Sequence, residues 1–308
     1  MPKAKRRNIG FFLIIFLSIF NLLWFLTNLS IRLFSKKPVS LIAQDISDYS
    51  HPLKPVVADS SSPNILAPAY LLLDAETNTV LLSKNPENRI FSASVTKLAT
   101  ALTALNIYPL DEVVTITEEY KEGKVMELTA GEKITVKSLV TALLVYSAND
   151  AAFNLASHHQ QGVPGFVTEM NLIARKYQLI NTNFTNYDGI HDPNHYSTVY
   201  ELAQLARLAI KNPIIKEYVK YKNLTVTDVD GIYVHDLTST NELLGVIPEI
   251  EGLKTGYTLE AGGCFVGLIN INGHYLISVV AQSPDRFSDT KSLVAWAKHN
   301  LSWKPYTP

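Results

Sequence analysis

The hydropathy pattern divides the chain into stretches of different character. Ile9 to Leu29 is uncharged and strongly apolar, and at about 1.5 Å per residue it would span roughly 31 Å, the thickness of a bilayer core. Lys36 to about Pro68 has no clear period and contains Pro38, Pro52, Pro55, Pro63 and the run Ser60 to Ser62, a composition that predicts a tether. From Ala69 onward the pattern is that of a folded domain. Tyr70 to Leu73 and Thr79 to Leu82 flank Asp74-Ala75-Glu76-Thr77-Asn78 as a β-hairpin would. Leu98, Ala101 and Leu105 recur at helical spacing and predict a helix from Ser94 to Leu105.

Short strands are predicted at Val113 to Ile116 and Lys133 to Val136, then helices at Leu139 to Tyr146, Ala151 to His158 and Gly165 to Tyr177. Thr198-Val199-Tyr200-Glu201 reads as a capping box opening a helix with Leu202, Leu205, Ala206 and Ala209 along one stripe. The period then changes to two. Leu224 to Val226, Tyr233 to His235, Cys264 to Ile269 and Tyr275 to Val280 predict antiparallel strands, the last two joined through Asn272-Gly273. A helix from Asp289 to His299 ends the pattern. Strands at both ends with helices between predict an α+β fold, in which distant segments build an antiparallel sheet flanked by helices and a helical lobe is inserted in its middle. The boundaries are a basic N-terminus and transmembrane signal-anchor at 1–37, a tether at 38–68, a catalytic domain at 69–300 and a tail at 301–308.

Charge bears mainly on the N-terminus. Over the 308 residues, 27 basic and 28 acidic side chains nearly cancel, so no global field draws the protein to nucleic acid. Lys3, Lys5, Arg6 and Arg7 precede the apolar run, against Arg32, Lys36 and Lys37 after it. That bias favours a cytoplasmic N-terminus with the catalytic domain outside, anchored in the cell membrane by a single pass. A cleaved signal peptide would have a shorter apolar region and a small-residue site, and none stands near Ser30 to Ser40. Cys264 is the single cysteine, which forms no intramolecular disulfide and suggests a small buried residue.

Candidate chemistry begins with Ser94-Val95-Thr96-Lys97, which puts a hydroxyl and an amine on one helical face, the spacing of a nucleophile and its base. An ordinary lysine is protonated at pH 7. Making half of such groups neutral requires roughly 4.6 kcal/mol from burial and nearby cations, so the pair needs a dry site with a second positive charge. The motif alone is weak, since roughly one such match arises by chance in a chain this long. Ser288-Asp289-Thr290-Lys291 is such a match, and reads as the solvated start of the last helix.

The first match differs in its company. Downstream lie Ser147-Ala148-Asn149, between two helical patterns, and Lys254-Thr255-Gly256, ahead of a strand-rich tail. These three motifs in this order resemble those of active-site serine penicillin-recognising enzymes. The chain is similar to the D-alanyl-D-alanine carboxypeptidase family of low-molecular-mass penicillin-binding proteins, from about Ala69 to His299. Phe91 to Leu98 resembles the family's nucleophile block with Ser92 in the usual proline position, and Ser147 to Ala151 its second block with Ala148 for glycine. His195 to Thr198, Gly252 to Thr258 and Ala261-Gly262 extend the match.

The resemblance implies a β-lactamase/DD-peptidase-like fold, a peptidoglycan stem peptide ending in D-Ala-D-Ala as substrate, β-lactams as covalent inhibitors, and no cofactor. Ser94 would attack the peptide carbonyl with Lys97 as base. Across the cleft, Ser147 would relay a proton and Asn149 would hold Lys97 or the substrate amide. Lys254 would be the second cation and, with Thr255, hold the terminal carboxylate. Gly256 would permit close backbone approach, and the N–H groups of Ser94 and, by resemblance, Tyr257 would hold the oxyanion. The peptide would add to this strand as a further edge.

Other readings remain open at this level. A class A β-lactamase would need a glutamate for deacylation, and Asn181 to Asn186 offers no such pattern. An endopeptidase on cross-linked stems shares every motif. A non-catalytic wall-binding membrane protein would have a damaged motif, whereas all six polar motif residues stand. A zinc D,D-peptidase would need ligands; His191 and His195 have the spacing, but Pro193 opposes a helix between them. Asp188-Gly189 and Asp192 read as turn chemistry.

Overall fold

The structure is a computed structural model that describes residues 53–58 and 61–305. The apolar run from Ile9 to Leu29 lies outside them, and among the described residues no helix is long and apolar enough to cross a membrane. Strand β1 is Leu53–Val57, β2 Ala69–Asp74 and β3 Val80–Lys84. After a 3₁₀ turn at Ala93–Thr96 come helix α1, Lys97–Ile107, and the paired strands β4, Val113–Thr115, and β5, Lys133–Thr135. Helices α2 Val136–Val145, α3 Asn149–Ser157, α4 Gly162–Lys176, α5 Val199–Ala209 and α6 Pro213–Tyr218 follow. Strands β6 Asn223–Thr227 and β7 Val234–Thr238 form a hairpin. Strands β8 Ile250–Thr258, β9 Gly262–Ile271 and β10 His274–Ser283 lead to α7, Arg286–Asn300, and β11, Leu301–Pro305.

The main sheet has the order β3-β2-β10-β9-β8 and is antiparallel throughout. Segments near the two ends of the domain supply it, and the lobe from α1 to β7 is inserted between β3 and β8, as the pattern predicts. Alternation along the strands divides the core. Tyr70, Leu72, Phe265, Ile269, Leu276 and Val280 pack with Leu293 and Trp296 of α7, while Leu71, Leu73, Val266, Leu268, Ile277 and Val279 pack with α1 and α5 residues such as Leu98 and Leu202. A sheet covered on both faces explains why β2 is buried at every position. Asn272 and Gly273 both take positive φ and close the β9–β10 hairpin, the geometry that a two-residue turn requires.

Two predicted features change. Leu53–Val57 and Leu301–Pro305, read as tether and tail, pair antiparallel; nearby, Asp289 accepts from the N–H groups of Leu66 and Ala67 at 2.8 and 2.9 Å. Each strand's partner lies at the other end of the domain, so local periodicity cannot reveal the pair. The capping box at α5 is half formed. Thr198 Oγ1 accepts from Glu201 N at 3.0 Å, but the Glu201 carboxylate turns to Asn181 N and the Thr182 hydroxyl, fastening the loop beside it.

Candidate active site

Ser94 lies in the 3₁₀ turn, three residues before the start of α1, rather than inside the predicted α-helix. In a 3₁₀ turn residues three apart eclipse one another, and Lys97 Nζ stands 3.1 Å from Ser94 Oγ. Two glycines let neighbouring backbone press on this turn. A Cβ on Gly256 would meet Ser94 N at 2.9 Å and Ser92 O at 3.1 Å, and one on Gly189 would meet Ala93 O at 1.9 Å. Gly256 therefore permits the close approach expected of it.

Lys97 is wholly buried and donates to the Asp188 carbonyl at 2.8 Å. Burial lowers its pKa to about 8 against the opposing pull of the Asp188 and Asp150 charges. Asp188-Gly189, read from sequence as turn chemistry, is thus the seat of the lysine; the Asp-Gly turn signal was visible, but its partner was not. His195 secures the same loop. Its Nδ1 accepts from Thr185 N, so Nε2 carries the proton and donates to Thr96 Oγ1 at 2.8 Å, which in turn bonds Ser92 Oγ. Burial pushes the imidazole down to about 4, keeping it neutral in this role. With both nitrogens engaged, and His191 edge-on to Phe91, the two histidines do not converge on a metal.

The second wall is the junction of α2 and α3. Ser147 takes a left-handed φ of 69° and is almost fully buried, and Asn149 opens α3. Asn149 N donates to Lys124 O at 2.7 Å and its side-chain amide to Glu122 O at 3.0 Å. Of the two partners expected for Asn149, Lys97 or the substrate amide, Lys97 donates instead to the Asp188 carbonyl, and the Asn149 amide is oriented by the loop between Ile116 and Glu132. Asp150 pins this loop in turn by accepting from Met126 N and Leu128 N, each at 3.1 Å.

The third wall is β8, an edge of the sheet. Lys254 Nζ donates to Thr255 O at 3.1 Å, and Thr255 Oγ1 is 2.7 Å from Thr240 Oγ1. Thr240 N reaches Val145 O near the second wall. Tyr257 is 61% exposed on the open edge. Burial drives Lys254 well below the usual lysine range, reinforced by the charges of Lys97, Lys124 and Arg286. The charge of Lys97 thus acts against that of Lys254 within the same dry cleft.

Arg286, which sequence reasoning missed, opens α7 with its stem over Gly263, the β9 partner of Tyr257. Its Nε is buried and has no hydrogen-bond partner among the described residues. No motif marks it, because it lies three residues beyond β10 and reaches the cleft only through the fold. Cys264 is buried opposite Gly256, with its thiol raised to about 11 by burial. Ser288 and Lys291 lie exposed in the first turns of α7.

A five-stranded antiparallel sheet carrying a helical lobe, with the serine–lysine pair between a Ser-x-Asn junction and a Lys-Thr-Gly edge strand, defines the penicillin-binding and DD-peptidase class. The family described as D-alanyl-D-alanine carboxypeptidase matches residues 56–285, and the chain belongs to that family. It is 32% identical over 256 residues to the D-alanyl-D-alanine carboxypeptidase DacA of Haemophilus influenzae, covering 78% of this chain and 63% of that protein. A Streptomyces D-alanyl-D-alanine carboxypeptidase is also 32% identical, over 76% of this chain and 88% of its own length. A D-alanyl-D-alanine endopeptidase of Pseudomonas aeruginosa is 31% identical over 73% of this chain and 75% of that protein. The crystal structure of a Streptomyces DD-transpeptidase superposes with a TM-score of 0.71 at 30% identity, covering 77% of this chain and 98% of the other.

Proposed function

We propose that this protein is a serine D-alanyl-D-alanine carboxypeptidase that removes the terminal D-alanine from peptidoglycan stem peptides. The observation that carries this reading is the Ser94–Lys97 pair, 3.1 Å apart under Gly256, beside the buried Lys254 and the unpartnered Nε of Arg286. Neutral Lys97 takes the proton as Ser94 Oγ attacks the carbonyl carbon between the two D-alanines. The N–H groups of Ser94 and Tyr257 hold the oxyanion. Collapse breaks the C–N bond, Ser147 passes a proton to the leaving amine, and D-alanine departs. Water then hydrolyses the ester on Ser94. Lys254, Thr255 and the unpartnered Arg286 Nε offer a free terminal carboxylate three sets of donors, which favours a carboxypeptidase over an endopeptidase.

The Ile9 to Leu29 run and the basic residues before it support an uncleaved anchor, with the catalytic domain outside the cytoplasm, where peptidoglycan lies. The expected outcome is that the full-length protein in detergent releases D-alanine from a diacylated peptide ending in D-Ala-D-Ala and turns over benzylpenicillin slowly through a persistent penicilloyl ester. Rapid penicillin hydrolysis without D-alanine release would replace this reading with a β-lactamase. In cells, the part after Lys37 should be open to external protease; a mature N-terminus mapped between Ser30 and Ser62 would show a cleaved signal instead.

A further inference from the structure

The charges around the cleft are unequal. Lys97, Lys124 and Arg286 each act on Lys254, and Asp188 and Asp150 are the acidic groups that act on Lys97. The terminal carboxylate of the substrate accounts for Lys254 and Arg286, which lie on the β8 and α7 side. Lys124 lies on the opposite wall: its carbonyl accepts from Asn149 N at 2.7 Å. Its Nζ is held 4.0 Å from the centroid of the Tyr146 ring, immediately before Ser147. Gly123 tucks under the same asparagine, where a Cβ would meet the Asn149 amide nitrogen at 2.4 Å. The backbone of Lys124 is thereby fixed to the second wall and its ammonium is steered along it by the aromatic face. Among the described residues no carboxylate forms an ion pair with Lys124; in the same loop Glu119 pairs with Lys121 at 3.0 Å. Although the residue is exposed at the surface, desolvation by the wall beneath it holds Lys124 below the ordinary lysine value.

We propose that Lys124 is a specificity residue that selects stem peptides whose residue before the terminal D-Ala-D-Ala carries a free side-chain carboxylate. A peptide laid antiparallel to β8 presents its terminal carboxylate to Lys254 and Arg286 and its preceding side chains to the walls of the cleft. An unneutralised cation fixed beside Asn149 is complementary to an acidic side chain at that point and indifferent to a neutral one. This inference rests on the carboxypeptidase reading and adds the identity of the preferred substrate.

The test uses the full-length protein in detergent with two diacylated peptides ending in D-Ala-D-Ala, identical except that the preceding residue bears a side-chain carboxylate or the corresponding carboxamide. A single partly exposed ion pair predicts a kcat/KM ratio of about fivefold in favour of the acid, equivalent to about 1 kcal/mol, falling as salt rises. Lys124→Met should bring the ratio to unity, Lys124→Glu should invert it, and Lys124→Arg should keep it. A ratio unchanged in Lys124→Met, or an equal loss on both peptides, overturns the proposal. Acylation by a penicillin bearing a side-chain carboxylate, compared with its uncharged parent, reads the same preference without peptide hydrolysis. If neither peptide releases D-alanine, the carboxypeptidase reading fails, while the penicillin pair still decides the role of Lys124: an acylation preference that Lys124→Met abolishes supports it, and none overturns it.

Discussion

Gly189→Ala tests whether the loop after α4 seats Lys97. Gly189 has φ +85°, and an added Cβ would lie 1.9 Å from Ala93 O and 2.9 Å from Thr96 Oγ1. The left-handed backbone alone costs alanine about 1 kcal/mol. Relief of the overlap demands a retreat of more than about 1 Å by backbone on one side or the other, because both partners are main chain or wholly buried. A shift of that size takes the 2.8 Å contact between Lys97 Nζ and Asp188 O out of hydrogen-bonding range. Losing a buried hydrogen bond to a chargeable group costs about 2 kcal/mol more, so the total is about 3 kcal/mol. Gly231→Ala is the control: its φ is +69° and nothing lies within 4 Å, so it bears only the backbone cost. Melting temperature should fall by roughly 10 °C for Gly189→Ala against about 3 °C for Gly231→Ala. Labelling by a fluorescent penicillin should slow at least about tenfold in the first variant alone. Equal melting shifts and equal labelling rates in the two variants would refute the argument that Gly189 exists to bring Asp188 onto Lys97.

Ser94→Ala should abolish covalent penicillin labelling with the melting temperature retained, whereas Ser288→Ala, in the exposed first turn of α7, should label as the parent does; label persisting on the first variant would move the nucleophile elsewhere. Acylation rate should rise with pH through about 8, as Lys97 becomes neutral, and a pH-independent rate from 6 to 10 would contradict the base assignment. The same lysine links folding to pH: its folded pKa is below its unfolded value of 10.5, so the unfolded chain binds the extra proton and stability should rise from about pH 8 to 10.5. Lys97→Met should remove that part of the slope in urea titrations, and an unchanged slope would refute the linkage. Asp289→Ala strands the N–H groups of Leu66 and Ala67 and the Ser283 hydroxyl, and should destabilise the domain by about 3 kcal/mol; a loss under 1 kcal/mol would show that residues 61–68 are held by other means.

The sequence by itself determined the elements whose causes are local. The two-residue turn at Asn272-Gly273 needs positive φ at both positions and has residues that tolerate it. Alternation along β2, β9 and β10 assigns each side chain to one core or the other, and the three-residue spacing of Ser94 and Lys97 predicts their contact in any right-handed helical turn. Tertiary structure decided what depends on partners far along the chain. The strand pair of Leu53–Val57 with Leu301–Pro305 joins segments separated by the whole domain, so neither carries a periodic signature of its partner. Asp188 gives the lysine a backbone carbonyl, a group that every residue possesses, so side-chain identity could not announce it. Arg286 and Lys124 are ordinary surface residues by composition. Only the fold brings them beside the cleft, where Gly263 makes room for the stem of one and Asn149 binds the carbonyl of the other. The pKa values of Lys97 and Lys254 likewise follow from the dryness of the assembled cleft, a property of packing that no local motif encodes.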